Sequence, residues 1–178
     1  TPYPTLFPYT TLFRSDQVDP VLAATLYAAD RFESIGMLSE LLETKDVVVA
    51  DRYVASNVAH QGAKKVGDER TRLQEWILKT EHEVFRLPRA QLVVHLDLPA
   101  ETAQMLIARK AKRDYTDQAA DMQEADRDYL DSVRQAYLEL AAPEADWATI
   151  SLLDGERLKS IDEVGEEIWS VAKKLGFS

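Results

Sequence analysis

The chain has 178 residues, enough for one domain with a full core, and its 46% hydrophobic and 29% charged residues fit a globular protein rather than a disordered one. A formal net charge of -10 argues against general affinity for nucleic acid or for an anionic membrane, and the lack of cysteine excludes disulfides, thiolate metal sites and a cysteine nucleophile. No apolar run approaches the roughly 20 residues of a membrane span, so the expectation is a cytoplasmic protein.

In chain order, residues 1–15 ("TPYPTLFPYTTLFRS") differ from everything after them, with four threonines, three prolines, no acid and a single charge at Arg14. The stretch lacks the basic start, apolar run and cleavage site of a signal peptide, and the Arg-rich pattern of a transit peptide. "YTTLF" has strand propensity, but Pro8 in front of it makes it an edge at best. Residues 5–15 read as the translation of eleven consecutive codons of a common short-read sequencing adapter. The expected division is therefore a non-native segment over 1–15 and one domain over 16–178.

Asp19 and Pro20 form a helix start, an N-cap followed by a proline whose missing N–H costs nothing there. Leu22, Leu26, Ala29, Ile35, Leu38, Leu41 and Leu42 carry helical periodicity to about Glu43. "DVVVAD" (46–51) reads as a buried parallel strand. A helical stretch over 56–61 and a long helix over 68–85 follow, then a second buried strand, "AQLVVHLDL" (90–98). Pro99 and Glu101 open a helix to about Lys112. Residues 114–121 are polar and loop-like, and 122–142 are helical. "WATISLLD" (147–154) is a third strand. "SIDE" (160–163) is a capping box before a last helix that ends near Gly176. Strands separated by helices predict an α/β fold with a parallel sheet, although three strands are few for one.

Three stretches carry possible chemistry. "DRYVASNVAHQGAK" (51–64) follows a predicted strand, at the edge where parallel sheets place ligands. Asp51 can orient a magnesium-bound phosphate or an attacking group, and Arg52 can grip a phosphate through two bonds. Ser56, Asn57, His60 and Gln61 add donors and acceptors. A bare Asp-Arg-Tyr would read as a strand-end ion pair; the fourteen residues together read as a site. In "LYAADR", Tyr27 and Arg31 are four apart and can meet a planar base on one helix face, or form an ordinary surface contact. In "ARKAKRDYTD", Arg109, Lys110, Lys112 and Arg113 either complement a helix C-terminus or form a lid that brings positive charge to a phosphoryl group. His60, His82 and His95 have no metal-ligand spacing, and His95 reads as a hydrogen-bonded core residue. Trp76, Trp147 and Trp169 read as core or half-buried packing.

Taken in order, "LYAADR", "DRYVASNVAHQGAK", "FRLPRAQLVVHLDLPAETA" and "VRQAYLELA" resemble thymidylate kinase, over roughly residues 18–154. The resemblance implies a P-loop nucleotide-kinase fold, a parallel sheet with flanking helices, that phosphorylates dTMP to dTDP with Mg-ATP, commonly as a homodimer. Deoxynucleoside kinases lack this run around the Asp-Arg-Tyr. By position, Tyr27 matches the aromatic that stacks on thymine and Arg31 the arginine on the base edge. Asp51 matches the aspartate near Mg2+ and the acceptor phosphate, Arg52 the arginine on the dTMP phosphate, and Ser56 and Asn57 polar groups near the base. Ala59, His60, Gln61 and Gly62 stand for the family's Ala-Tyr-Gln-Gly, so His60 replaces a tyrosine associated with deoxyribose selection, which leaves discrimination against ribose open. Arg109 and Arg113 match lid arginines that contact the ATP phosphates.

One departure is large. The family's Gly-x-x-x-x-Gly-Lys-Ser/Thr loop and its Glu-Pro-Gly-Gly segment occur nowhere in the 178 residues. The first two of roughly five family strands are absent with them, and the first belongs between residues 46–51 and 90–98. The expectation is a C-terminal portion of a thymidylate kinase with little or no activity alone. The alternatives are another nucleoside or nucleotide kinase, or a non-catalytic nucleotide-binding module.

Overall fold

A computed structural model describes residues 18–113, 127–143 and 145–176, with the backbone only of residues 108–113. The adapter-like segment, the loop over 114–121, the helix start over 122–126 and the side chains of Arg109, Lys110, Lys112 and Arg113 lie outside the described residues.

The first helix, α1 (Pro20–Glu33), starts as predicted, with the Asp19 carboxylate accepting from the Val21 and Leu22 amides at 2.8 and 3.3 Å. It does not run on to Glu43. At Ser34 the backbone leaves the helical region (φ -85°, ψ 2°), its amide bonding the Asp30 and Arg31 carbonyls, and α2 (Ile35–Thr44) begins after it. The predicted strand over 46–51 is not one. It forms no ladder, and Val47 and Val49 are 51% and 87% exposed. An apolar run becomes a buried strand only when neighbours bond its edges and cover its faces, and no described strand pairs with it.

Five further α-helices and two small two-stranded sheets make up the rest of the described fold. Helix α3 (Val54–Gly62) is followed by α4 (Gly67–Lys79), which loosens into a π-helical turn over Thr80–Val84. Strand β1 (Val93–Asp97), α5 (Ala100–Arg113), α6 (Arg127–Ala141) and β2 (Trp147–Ser151) come next. The two strands pair in parallel, Val93 beside Trp147 through Asp97 beside Ser151. This is the predicted α/β class in reduced form, but β1 is half-buried, not buried. The stretch 147–154 is also broken: Leu152 donates back to the Asp97 carbonyl, and Leu153–Asp154 (β3) turns at Gly155, which has φ 61°, to pair with Arg157–Leu158 (β4). The capping box is present, with Ser160 accepting from the Glu163 amide and Glu163 accepting from the Ser160 amide, and α7 (Ile161–Ala172) follows. Trp76 and Trp169 are 38% and 43% exposed and Trp147 is half-buried, so they pack as boundary residues.

The core gathers around α3, not on the sheet. Ala24 of α1, Val54 and Val58 of α3, Leu73 and Ile77 of α4 and Leu87 form one buried cluster. Ser56, Asn57 and Gln61 are buried on the same helix, so the central helix brings polar atoms inside that need partners.

Candidate functional site

Arg52 enters α3 with φ 62°. That left-handed conformation costs a residue with a Cβ about 1–2 kcal/mol and is characteristic of functional turns. It turns the guanidinium back over the helix. Arg52 Nε donates to Ser56 Oγ at 2.9 Å, and Nη2 lies 2.8 Å from His60 Nε2. Since an arginine can only donate, His60 Nε2 is the acceptor, and the ring proton sits on Nδ1, facing the Tyr129 hydroxyl of α6 at 3.0 Å. Burial, then the charges of Arg52 and Lys64, push the His60 pKa down to about 3. The neutral ring is therefore a stable acceptor for Arg52.

A stack of rings ties this cluster to the sheet. Tyr137 of α6 meets His60 edge-on at 6.1 Å and stacks on His95 of β1 at 4.9 Å. Burial raises the Tyr137 pKa against the pull of the Ser56 hydroxyl and Arg52. His95 is half-buried, and its Nδ1 is enclosed without a hydrogen-bond partner among the described residues, so its expected hydrogen bonding fails at that atom; the ring is held by stacking. At the C-terminal end of β1, Asp97 accepts two bonds from Arg134, at 2.6 and 2.8 Å, and this hydrogen bonding holds the carboxyl below its usual range.

A second cluster lies across α3. Arg31 of α1 donates through Nε and Nη2 to the two oxygens of Glu81, at 2.7 and 2.5 Å. Asn57 Nδ2 donates to Glu81 at 2.8 Å and to the Ala24 carbonyl at 3.1 Å. Both partners are acceptors, which fixes the amide orientation and leaves Asn57 Oδ1 buried without a partner among the described residues. The Glu81 side chain is 0% exposed.

The structure thus brings Arg52, Ser56 and His60 together, and Arg31 with Asn57. Tyr27 is 41% exposed on α1 and Asp51 is exposed before α3. Gln61 is buried, with Oε1 unpartnered among the described residues. Among the described residues no three His, Asp or Glu side chains could hold a metal by themselves. A single exposed carboxylate, Asp51, suits Mg2+, an ion that keeps waters and takes most other ligands from substrate phosphates. Sequence reading missed Glu81, Tyr129 and Tyr137. Glu81 had a signal: Leu73, Ile77 and Glu81 are spaced by four, which puts a carboxylate on the apolar stripe of its helix.

A family model described as thymidylate kinase matches residues 9–168. The chain is 31% identical over 153 residues to the probable thymidylate kinase of Sulfolobus acidocaldarius, covering 86% of this chain and 67% of that one. It is 34% identical over 119 residues to the thymidylate kinase of Mycobacterium tuberculosis, covering 67% of this chain and 55% of that one. A third relative, the thymidylate kinase of Leifsonia xyli subsp. xyli, is 33% identical over 161 residues, 88% of this chain and 68% of that one. The chain therefore spans between 55% and 68% of the length of these relatives. With a family match along most of its length, the chain belongs to the thymidylate kinase family and carries part of its P-loop kinase α/β fold.

Proposed function

We propose that the protein binds dTMP and, as part of a complete kinase, transfers the γ-phosphoryl group of Mg-ATP to the dTMP phosphate. The observation that carries this reading is the Arg52 cluster: a strained backbone position turns a guanidinium over α3, where Ser56 and a neutral His60 hold it. Arg52 would take the dTMP phosphate, since a fixed, planar donor fork suits phosphate oxygens. Arg31 and Asn57 would meet the base edge, with Tyr27 against its face. Asp51 would orient the acceptor and hold Mg2+, which would neutralise phosphate charge during in-line transfer. Arg109 and Arg113 would add lid charge. Exposed Val21, Leu22 and Phe32 on α1 support a homodimer through helices beside the Asp-Arg-Tyr region. Among the described residues no helix is long and apolar enough to cross a membrane, and a cytoplasmic location belongs to the same reading.

Calorimetric titration with dTMP and with thymidine tests the phosphate role. The chain should prefer dTMP, and Arg52→Ala should cost dTMP roughly 10–100-fold, the scale of a charge-assisted bond, while leaving thymidine nearly unchanged. Equal losses for both ligands would remove Arg52 from the phosphate. The chain as it stands carries no phosphate loop for ATP, so turnover of dTMP with Mg-ATP should stay far below about 1 s⁻¹; a rate at that level would refute its inactivity.

A further inference from the structure

Glu81 sits where a stable helix layer has no need of a carboxylate. It continues the buried stripe of Leu73 and Ile77 and lies in the π-helical turn after α4, where Phe85 bonds back to the Thr80 carbonyl and Leu87 to that of Glu81. Turns of that kind insert one residue into the helical register and recur at functional sites. Buried ion pairs of this sort add little stability over a well-packed apolar residue. What the acid does add is orientation. Its two oxygens take three donors from two other helices, Nε and Nη2 of Arg31 and Nδ2 of Asn57.

The atoms that remain are the informative ones. With Nε and Nη2 engaged, Arg31 turns its Nη1 amino group, a donor only, away from the acid. With Nδ2 engaged by Glu81 and Ala24, Asn57 is left with Oδ1, an acceptor, buried and unpartnered among the described residues. One carboxylate thus holds an arginine with a donor to spare and an amide with an acceptor to spare. A pyrimidine with a 4-oxo group and an N3–H presents the complementary order, acceptor then donor. A 4-amino pyrimidine presents the reverse.

We propose that Glu81 is the positioning residue for base specificity, which it sets by fixing Arg31 and Asn57 in the orientation that accepts a 4-oxo pyrimidine nucleotide and refuses a 4-amino one. This rests on the reading that Arg31 and Asn57 meet the base of dTMP. Glu81 itself touches no substrate in this scheme, and removing its charge should act through its two partners.

The test compares dissociation constants for dTMP and dCMP, by calorimetry on the full chain, between wild type and Glu81→Gln. Glutamine keeps the size but turns an amide NH2 toward donors. The variant should bind dTMP roughly tenfold more weakly, and the dTMP:dCMP preference should fall by a similar factor, the scale of one bond to a charged group. Equal weakening of both ligands, or no change, overturns the proposal and leaves Glu81 a structural acid. A wild-type chain without preference for dTMP overturns the functional reading, and this proposal with it. Should Glu81→Gln fail to fold, the wild type still decides. The Nε–H resonance of Arg31, identified by its loss in Arg31→Lys, should be protected from solvent exchange before dTMP is added and remain so afterwards. Protection that arises only on adding dTMP overturns the proposal.

Discussion

The helices around α3 and the strands beside them are built to different standards. In the helix layer, Val58 and Ile77 are 1% exposed, and the buried Glu81 has a partner for each carboxylate oxygen. The parallel sheet is two strands with only half-buried or exposed residues along β1, and residues 46–51 form a mostly exposed apolar run outside it. A helix bonds its own backbone, so α1, α3 and α4 need only side-chain packing from each other. A strand takes all its ladder hydrogen bonds and both its covers from neighbours. The same chain can therefore complete a helical core and leave its sheet thin.

The largest expected effect breaks the helix layer at its polar centre. Glu81→Ala strands the Arg31 guanidinium and the Asn57 amide without their acceptor, and loss of one member of a buried pair costs about 3–5 kcal/mol. The unfolding free energy from urea titration should fall by that amount; a loss below about 1 kcal/mol would mean that water reaches Arg31 and replaces the acid. Next comes an apolar pair chosen across the contrast. Ile77→Ala opens a cavity in the buried cluster and should cost about 2–5 kcal/mol, whereas Val49→Ala, at a side chain 87% exposed, should stay within about 0.5 kcal/mol. Comparable losses at the two positions would mean that 46–51 is packed in solution.

Legibility followed the same division. The α1 cap and the Ser160 capping box could be read because their causes are local, a side chain and an amide within three residues; the helical stretch read over 56–61 falls inside α3. The run "DVVVAD" has the composition of a buried strand but not the neighbours, and composition alone cannot supply a neighbour. The break at Ser34 is a change of one backbone angle, ψ 2°, which periodicity does not see. In the site, family order pointed to Arg31, Arg52, Ser56, Asn57 and His60. It gave no hint that the arginines are held by Glu81 and by a neutral His60, because those partners lie 50 and eight residues away and are chosen by packing.

A pH titration probes the link between the layers, since His60 lies where α3 meets α6 and the ring stack to β1. Unfolded His60 takes up its proton near pH 6.5, folded His60 only near about 3. Between those values the unfolded state binds more protons, so stability falls as pH falls, by about 1.4 kcal/mol per pH unit at the steepest. His95, also lowered by burial, adds the same sign, while Asp97 with Arg134 loses its contribution only below the usual carboxylate range. His60→Gln should remove part of the slope between pH 6.5 and about 5 and leave the rest. An unchanged slope would mean that His60 protonates freely in the folded chain.

The smallest expected effect measures how tightly the helix layer is filled. A Cβ on Gly62, at the end of α3, would stand 2.8 Å from Gln74 Nε2 and 3.0 Å from its Cγ on α4. Against that clash, replacing a helical glycine removes backbone freedom from the unfolded chain and contributes about 0.5–1 kcal/mol of stability. The far end of Gln74 can swing away, since its Nε2 is buried without a hydrogen-bond partner among the described residues; the Cγ, two bonds from the main chain, has less room. Gly62→Ala should therefore lose about 1 kcal/mol or less by urea unfolding. The decisive measurement is the same change made in a Gln74→Ala background, where the clash is gone and the helix gain remains. There Gly62→Ala should stabilise, so that the two substitutions couple by about 1 kcal/mol. Additive effects would show that α3 and α4 stand further apart in solution, and that the dense half of the molecule resembles its sheet more than its burial indicates.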